Sequence, residues 1–282
     1  MACIERNKAD EAGYNEYYKD NLSPFAVVQS PEQYISVYEE QNIAPYWKGG
    51  CSKGYVRGEA VKGLVNKAAV RGKNFADITV LDAGFGQGEL SVYLACRGFS
   101  VVGVDISAEA KVCADMLAST VGVSNRVSFL AESLEATSIP DNSIDYVIGH
   151  ASLHHFIKYE KVPEEFKRIM KPAAEGFFAD SFGENKLYHL FHDKAKMERL
   201  GDVTLTKSLI ESYFKDFEIT LTPTDWFVMF DKAYKKFLPR GSDPFIRRLS
   251  LGHFWLDRRI PHQSRLALYL SGSVLTKIKK TS

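Results

Sequence analysis

From residue 78 onward the chain alternates two rhythms. Short apolar runs rich in β-branched residues lie at 78–81, 99–104, 127–130, 144–149, 176–179 and 217–221, with a last one at 273–279. Runs of this length without polar alternation read as strands buried on both faces. Between them apolar residues return at helical spacing, as Leu90, Tyr93 and Leu94 do, and again over 108–121 and 206–214. The punctuation agrees. Gly98 stands where a helix C-cap belongs, Ser107 precedes 108–121 as an N-cap, and Pro163 suits the first turn of a helix that ends at Met170. Strands alternating with helices predict an α/β fold, a doubly wound, mostly parallel seven-stranded sheet with an antiparallel last strand. Right-handed crossovers then place helices on both faces.

Two aromatic-rich stretches fall outside this alternation. Residues 1–60 carry Tyr14, Tyr17, Tyr18, Tyr34, Tyr38, Tyr46 and Trp47, with a glycine-containing loop at 48–54. The connection 224–270 carries Trp226, Phe227, Phe230 and Trp255, and a structureless loop of that length is uncommon in a compact domain. The expected organisation is a helical N-terminal lid at 1–60, a ligand-binding core at 61–223, a helical cap insert at 224–270, and a last strand at 271–282.

Composition narrows the function classes. The 36 Lys and Arg balance 35 Asp and Glu, leaving a net charge of +1 and no electrostatic footprint for nucleic acid. The N-terminal residues lack an apolar signal region, and no stretch approaches 18 apolar residues. A cytoplasmic protein with no membrane partner is expected; the oligomeric state is left open. Cys3, Cys51, Cys96 and Cys113 show no zinc or redox spacing, and Cys96 and Cys113 are expected as small buried hydrophobes.

In open α/β sheets ligands bind beyond the carboxyl ends of the strands, which directs attention to the residues after each strand. Asp82-Ala83-Gly84-Phe85-Gly86-Gln87-Gly88 follows the first. Its glycines allow tight turns and close approach of a ligand, and the next helix offers unpaired N–H groups. A dinucleotide fingerprint would want glycine at 89, where this chain has Glu. Asp105 ends the second strand and can accept from a ribose diol. Glu132 and Ser133 follow the third and can meet an adenine. His150, His154 and His155 follow the fourth. His150 and His154 are four apart, which suits one helix face but supplies only two ligands. No metal centre is therefore expected, and activity should survive chelation. An imidazole here can instead serve as a base.

These motifs, in this order, resemble the class I S-adenosylmethionine-dependent methyltransferases of the small-molecule, natural-product type. Residues 82–88 are similar to that family's first motif, Val101 to Ser107 to its second-strand motif, Ile139 to Asp145 with Leu153-His154-His155 to the fourth-strand region, and Lys167 to Pro172 to the helix end before strand five. The resemblance spans about residues 78–185 and implies a Rossmann-like methyltransferase core. It implies that Asp82, Gly84, Gly86 and Gly88 lie along the methionine part and ribose of the donor. Asp105, with Ile106 beside it, would hold the ribose, Glu132 and Ser133 the adenine, and His150 would lie by the methionyl portion. S-adenosylmethionine is the expected cofactor, S-adenosylhomocysteine the product, and a small-molecule acceptor the partner. Family members usually carry Pro-Gly-Gly before strand five; this chain has Pro172-Ala173-Ala174-Glu175-Gly176, which bears on the turn and not on the cofactor.

Methyl transfer requires nucleophile and methyl carbon about 3–3.5 Å apart and aligned. An oxygen or nitrogen nucleophile must also shed a proton, and His154, His155 and Asp180 are the candidate catalytic residues. Methylation at O or N is expected. The competing readings are a natural-product C-methyltransferase, an NAD-dependent oxidoreductase and a non-catalytic S-adenosylmethionine-binding protein.

Overall fold

The computed structural model describes residues 11–15, 28, 30–43, 53–184, 202–224 and 271–281. Of the cap expected at 224–270 all but Thr224, most of the lid expected at 1–60, and Cys3 and Cys51 lie outside the described residues.

The strands are β1 (Thr79–Ala83), β2 (Ser100–Asp105), β3 (Val127–Ala131), β4 (Ile144–His150), β5 (Met170–Ser181), β6 (Phe217–Thr224) and β7 (Ser273–Lys280). They form one sheet in the order β3-β2-β1-β4-β5-β7-β6. β7 runs antiparallel between β5 and β6, and the pairs from β3 to β5 are parallel. The chain winds outward from β1 to β3 and then returns to place β4 on the other side of β1. The carboxyl ends of β1 and β4 therefore diverge at a topological switch point, and a crevice opens there.

Alternation along the strands explains the two-sided core. Val80, Tyr146, Ile148 and Phe177 face one hydrophobic cluster, whereas Leu81, Val147 and Phe178 face the other. The first cluster is closed by helices α1 (Pro31–Tyr38), α2 (Lys53–Val70), α3 (Glu89–Cys96) and α4 (Ala108–Val121). The second is closed by α5 (Leu153–Phe156), α6 (Val162–Ile169) and α7 (Lys207–Tyr213). Caps set the helix ends: Ser107 Oγ accepts from the Ala110 N–H at 3.0 Å, and Gly122 leaves α4 with φ 83°. Helix α2 crosses the expected boundary at 60/61. Ala60, Val61, Leu64 and Ala68 form one continuous buried stripe, so the helix packs on the sheet as part of the core.

Asp145 ties the amino ends of the central strands together. Its carboxylate accepts from the Thr79 N–H at 3.0 Å and from Lys171 Nζ at 2.6 Å. Between α6 and the main run of β5 the register shifts, and Ala173 takes a left-handed conformation with φ 58°. The departure from Pro-Gly-Gly thus sets an alanine in backbone that favours glycine. Cys96 and Cys113 are free thiols, each half-buried rather than in the core.

Candidate active site

A cavity of about 590 Å³ opens at the switch point, lined by residues that follow β1, β2, β3 and β4. At one end lies the glycine loop. Gly84 and Gly86 line the cavity with φ 78° and 56°, and a side chain on Gly84 would stand 2.7 Å from Ser152 Cβ. Gly88, expected along the donor, is not among the lining residues. A Cβ there would meet Ala114 Cβ at 2.6 Å and Phe129 at 3.0 Å. It starts α3 and lets α4 approach closely, so its glycine is explained by packing.

Asp105 faces the cavity and fastens the loop. Its Oδ2 accepts from the Gly86 N–H and its Oδ1 from the Ser107 N–H, both at 3.0 Å. Burial raises its pKa, and these N–H groups work against that rise. Asp82 is buried, accepts from Ser91 Oγ at 2.6 Å, and is pushed up to about 7 by burial; the Ser91 hydrogen bond opposes this shift and the Asp105 charge adds to it. Ile106, Glu132 and Ser133 also line the cavity. The Glu132 carboxylate turns back to accept from the Ser138 N–H and hydroxyl, each at 2.8 Å. Ser133 Oγ accepts from the Glu135 N–H at 3.3 Å.

His150 ends β4 against the cavity. Its Nε2 is buried and has no hydrogen-bond partner among the described residues, and burial, then the nearby Arg57 charge, hold the ring well below the usual histidine range. Arg57 on α2 lines the same wall. It was not singled out in the sequence, where it sits 25 residues before Asp82 in an ordinary-looking polar helix.

The other end is built by the turn after β4. Ala151 takes φ 52° and α5 starts at Leu153. His150 and His154 therefore do not share a helix face, because the strand continues through His150. His154 Nδ1 lies 2.5 Å from Asp180 Oδ1, and Asp180 Oδ2 accepts from the Leu153 N–H at 3.3 Å. Asp180 is fully buried behind the ring and is not among the lining residues. It reaches the cavity only through His154. His155 Nδ1 makes a hydrogen bond of 2.7 Å with the Tyr14 hydroxyl. Asp202, unmarked in the sequence reading, completes this end. Its Oδ1 lies 2.8 Å from His155 Nδ1 and its Oδ2 lies 4.0 Å from His154 Nε2. Burial lowers the pKa of His155 while Asp202 opposes. Burial raises the Asp202 carboxyl, but His155, His154 and Lys158 outweigh it and hold it below its ordinary value.

Residues 81–178 match the family model described as a methyltransferase domain. YqeM of Bacillus subtilis (strain 168), whose name assigns it to the methyltransferases, is 27% identical over 163 residues. That match takes in 56% of this chain and 63% of YqeM, so the chain spans less than two thirds of the relative's length. Among solved structures, geranyl diphosphate C-methyltransferase from Streptomyces coelicolor A3(2) has a TM-score of 0.58 at 12% identity, covering 97% of this chain and 98% of that one. Phosphoethanolamine N-methyltransferase 2 of Haemonchus contortus has a TM-score of 0.53 at 16% identity, covering 82% and 58%. At these identities the structural likeness speaks for the fold alone.

The glycine loop and the strand-end acid thus sit at the switch point of a Rossmann-like sheet, inside the stretch that matches the methyltransferase domain. No helix among the described residues is long and apolar enough to cross a membrane.

Proposed function

We propose that this chain is a class I S-adenosylmethionine-dependent methyltransferase that methylates a small-molecule metabolite in the cytoplasm, at oxygen or nitrogen. The observation that carries the proposal is that the glycine loop with Asp105 and the pair His154 and His155 line one and the same cavity. A volume of about 590 Å³ is within the ordinary range of small-ligand sites, and it favours a donor with a compact acceptor over a macromolecule. Tyr14 and Tyr38 line it as well, which fits an N-terminal lid over an acceptor.

In this reading Gly84 and Gly86 lie along the donor, Asp105 and Ile106 meet its ribose, and Glu132 and Ser133 flank its adenine. Because the Glu132 carboxylate is already engaged by Ser138, the backbone of that loop carries much of the adenine contact. Asp82 and His150 take the methionyl end, where Arg57 adds a cation suited to the donor's carboxylate. His154 and His155 meet the acceptor and manage its proton, and Asp180 is a positioning residue for His154.

The test is incubation with methyl-labelled donor and a panel of phenolic, carboxylic and amine metabolites, with the product linkage read by NMR. A labelled O- or N-methyl product supports the proposal. Labelling at carbon would move the chain to the C-methylating reading. Transfer to protein or nucleic acid in place of every small acceptor would overturn it.

A further inference from the structure

The sequence offers two histidines and no third ligand, and on that ground predicts no metal centre. The fold changes the count. One ring nitrogen of His154, one of His155 and a carboxylate oxygen of Asp202 all lie within 4.8 Å of one another. We propose that these three groups bind a divalent transition-metal ion at the histidine end of the cleft. The proposal rests on the reading of that end as the acceptor site.

Several independent features converge on it. Two imidazole nitrogens with one carboxylate oxygen form a donor set suited to zinc, cobalt or ferrous iron, and less to the hard, all-oxygen preferences of magnesium and calcium. Bonds of about 2.1 Å put tetrahedral ligands roughly 3.4 Å apart. The Asp202 contacts, 2.8 Å from Oδ1 to His155 Nδ1 and 4.0 Å from Oδ2 to His154 Nε2, lie on either side of that value. The outer shell is present too. A metal-bound histidine almost always gives its other ring nitrogen to a carboxylate or carbonyl. His154 Nδ1 is held in this way by the fully buried Asp180, which directs Nε2 towards Asp202.

Asp202 Oδ1 is buried and lies 2.8 Å from His155 Nδ1, a nitrogen it shares with the Tyr14 hydroxyl, and no other partner meets it among the described residues. A buried carboxylate oxygen whose one partner is shared in this way is well served by a cation. Three protein ligands leave positions open, as in catalytic rather than structural sites. An ion there would hold an acceptor oxygen and lower the pKa of its hydroxyl. The acceptors this favours carry an oxygen able to coordinate. Tyr14 competes with the ion for His155, so its hydroxyl must swing away on binding.

The experiment titrates the purified, chelator-treated chain with Co2+, followed by visible absorption, and with Zn2+, followed by calorimetry. S-adenosylhomocysteine binding is measured in parallel. The proposal expects one equivalent of each ion at micromolar affinity or tighter. Asp202→Asn and His154→Gln should each weaken Co2+ at least tenfold, and Asp180→Asn tenfold to a hundredfold, the range for outer-shell carboxylates. Tyr14→Phe should not weaken it. S-adenosylhomocysteine affinity should stay within twofold in all four. Absence of Co2+ and Zn2+ binding by a chain that binds S-adenosylhomocysteine overturns the metal site and leaves the methyltransferase reading intact. Binding of Co2+ that neither Asp202→Asn nor His154→Gln reduces overturns it equally. Should Asp202→Asn fail to fold, His155→Gln takes its place with the same expected loss.

Discussion

At the glycine-loop end of the cleft, polar contacts run between near neighbours in the chain: Asp105 to Gly86 and Ser107, and Asp82 to Ser91. At the histidine end they join distant segments. His154 meets Asp180, 26 positions away, and His155 meets Tyr14, 141 positions away. The contacts of Asp105 and Asp82 close once β1, α3 and β2 have packed, because they lie within one βαβ unit and the cap that follows it. The second end needs a residue from the N-terminal segment and another from the stretch before α7. Its assembly depends on non-local contacts, which local opening disrupts most easily. The two ends should therefore respond separately to substitution: the loop end in donor affinity, the histidine end in turnover.

The sharpest break between them is expected at His154. His154→Gln removes the imidazole that faces the cavity, as base or as metal ligand, and should lower kcat about a hundredfold, the low end of the effect of losing a group that handles or promotes the loss of a reacting proton. Donor affinity should stay within twofold. A comparable loss of S-adenosylhomocysteine binding in calorimetry would mean that the two ends are one unit.

At the loop end, Asp105→Ala should do the reverse. It removes charge-assisted hydrogen bonds, each worth roughly 1.5–3 kcal/mol, so donor affinity should fall at least tenfold. The same carboxylate holds Gly86 and Ser107, so the loop loosens along with the ribose contact. Asp105→Asn keeps an acceptor oxygen and should lose less. Unchanged donor affinity in a folded Asp105→Ala chain would remove this residue from the donor site.

Asp82 supplies a pH readout confined to the loop end. Burial pushes its carboxyl up to about 7, so the free folded chain keeps that proton while the unfolded chain releases it near its ordinary value of 3.8. The folded state thus binds more protons between about pH 4 and 7, and stability falls as pH rises through that window. The donor's ammonium group wants the ionised carboxylate. Donor affinity should accordingly rise about tenfold from pH 6 to pH 8, as expected for one group titrating near 7. Asp82→Asn should flatten both slopes. A flat donor-binding profile in the unmodified chain would show that Asp82 does not meet the ammonium group.

The contrast also explains what could be read from the residues alone. The strands from 78 to 150, the cap at Ser107 and the loop with Asp105 announce themselves through spacing within one βαβ unit. At Gly88, motif spacing cannot tell a glycine beside a ligand from one beside Ala114. His150 and His154 were paired by helical spacing, which fails once a strand end and the left-handed Ala151 intervene. Asp180 lies at the carboxyl end of β5, where a site residue is expected, but it is buried behind the His154 ring. Arg57 and Asp202 carry no local signal. Each reaches the cleft through tertiary packing of a segment with unremarkable polar sequence.

The smallest predicted effect falls outside both ends and serves as their control. Ala173 is exposed at the register shift of β5, with φ 58° and its carbonyl accepting from Arg71 Nη2 at 3.2 Å. A left-handed conformation costs an L-residue roughly 1–2 kcal/mol, and glycine escapes that cost. Glycine in turn loses about 0.5–1 kcal/mol through the greater freedom of its unfolded chain. The exposed methyl packs on little, so Ala173→Gly should stabilise the fold by roughly 0.5–1 kcal/mol. For a domain of this size that is a rise in Tm of about 1–4 °C. Neither kcat nor donor affinity should move, because the substitution lies at the amino end of β5 while the cleft opens beyond the carboxyl ends of the strands. A lower Tm would show that the Ala173 methyl packs on something that holds the turn. A change in kcat without a change in donor affinity would show that strain at the start of β5 travels along the strand to Asp180, and through it to His154.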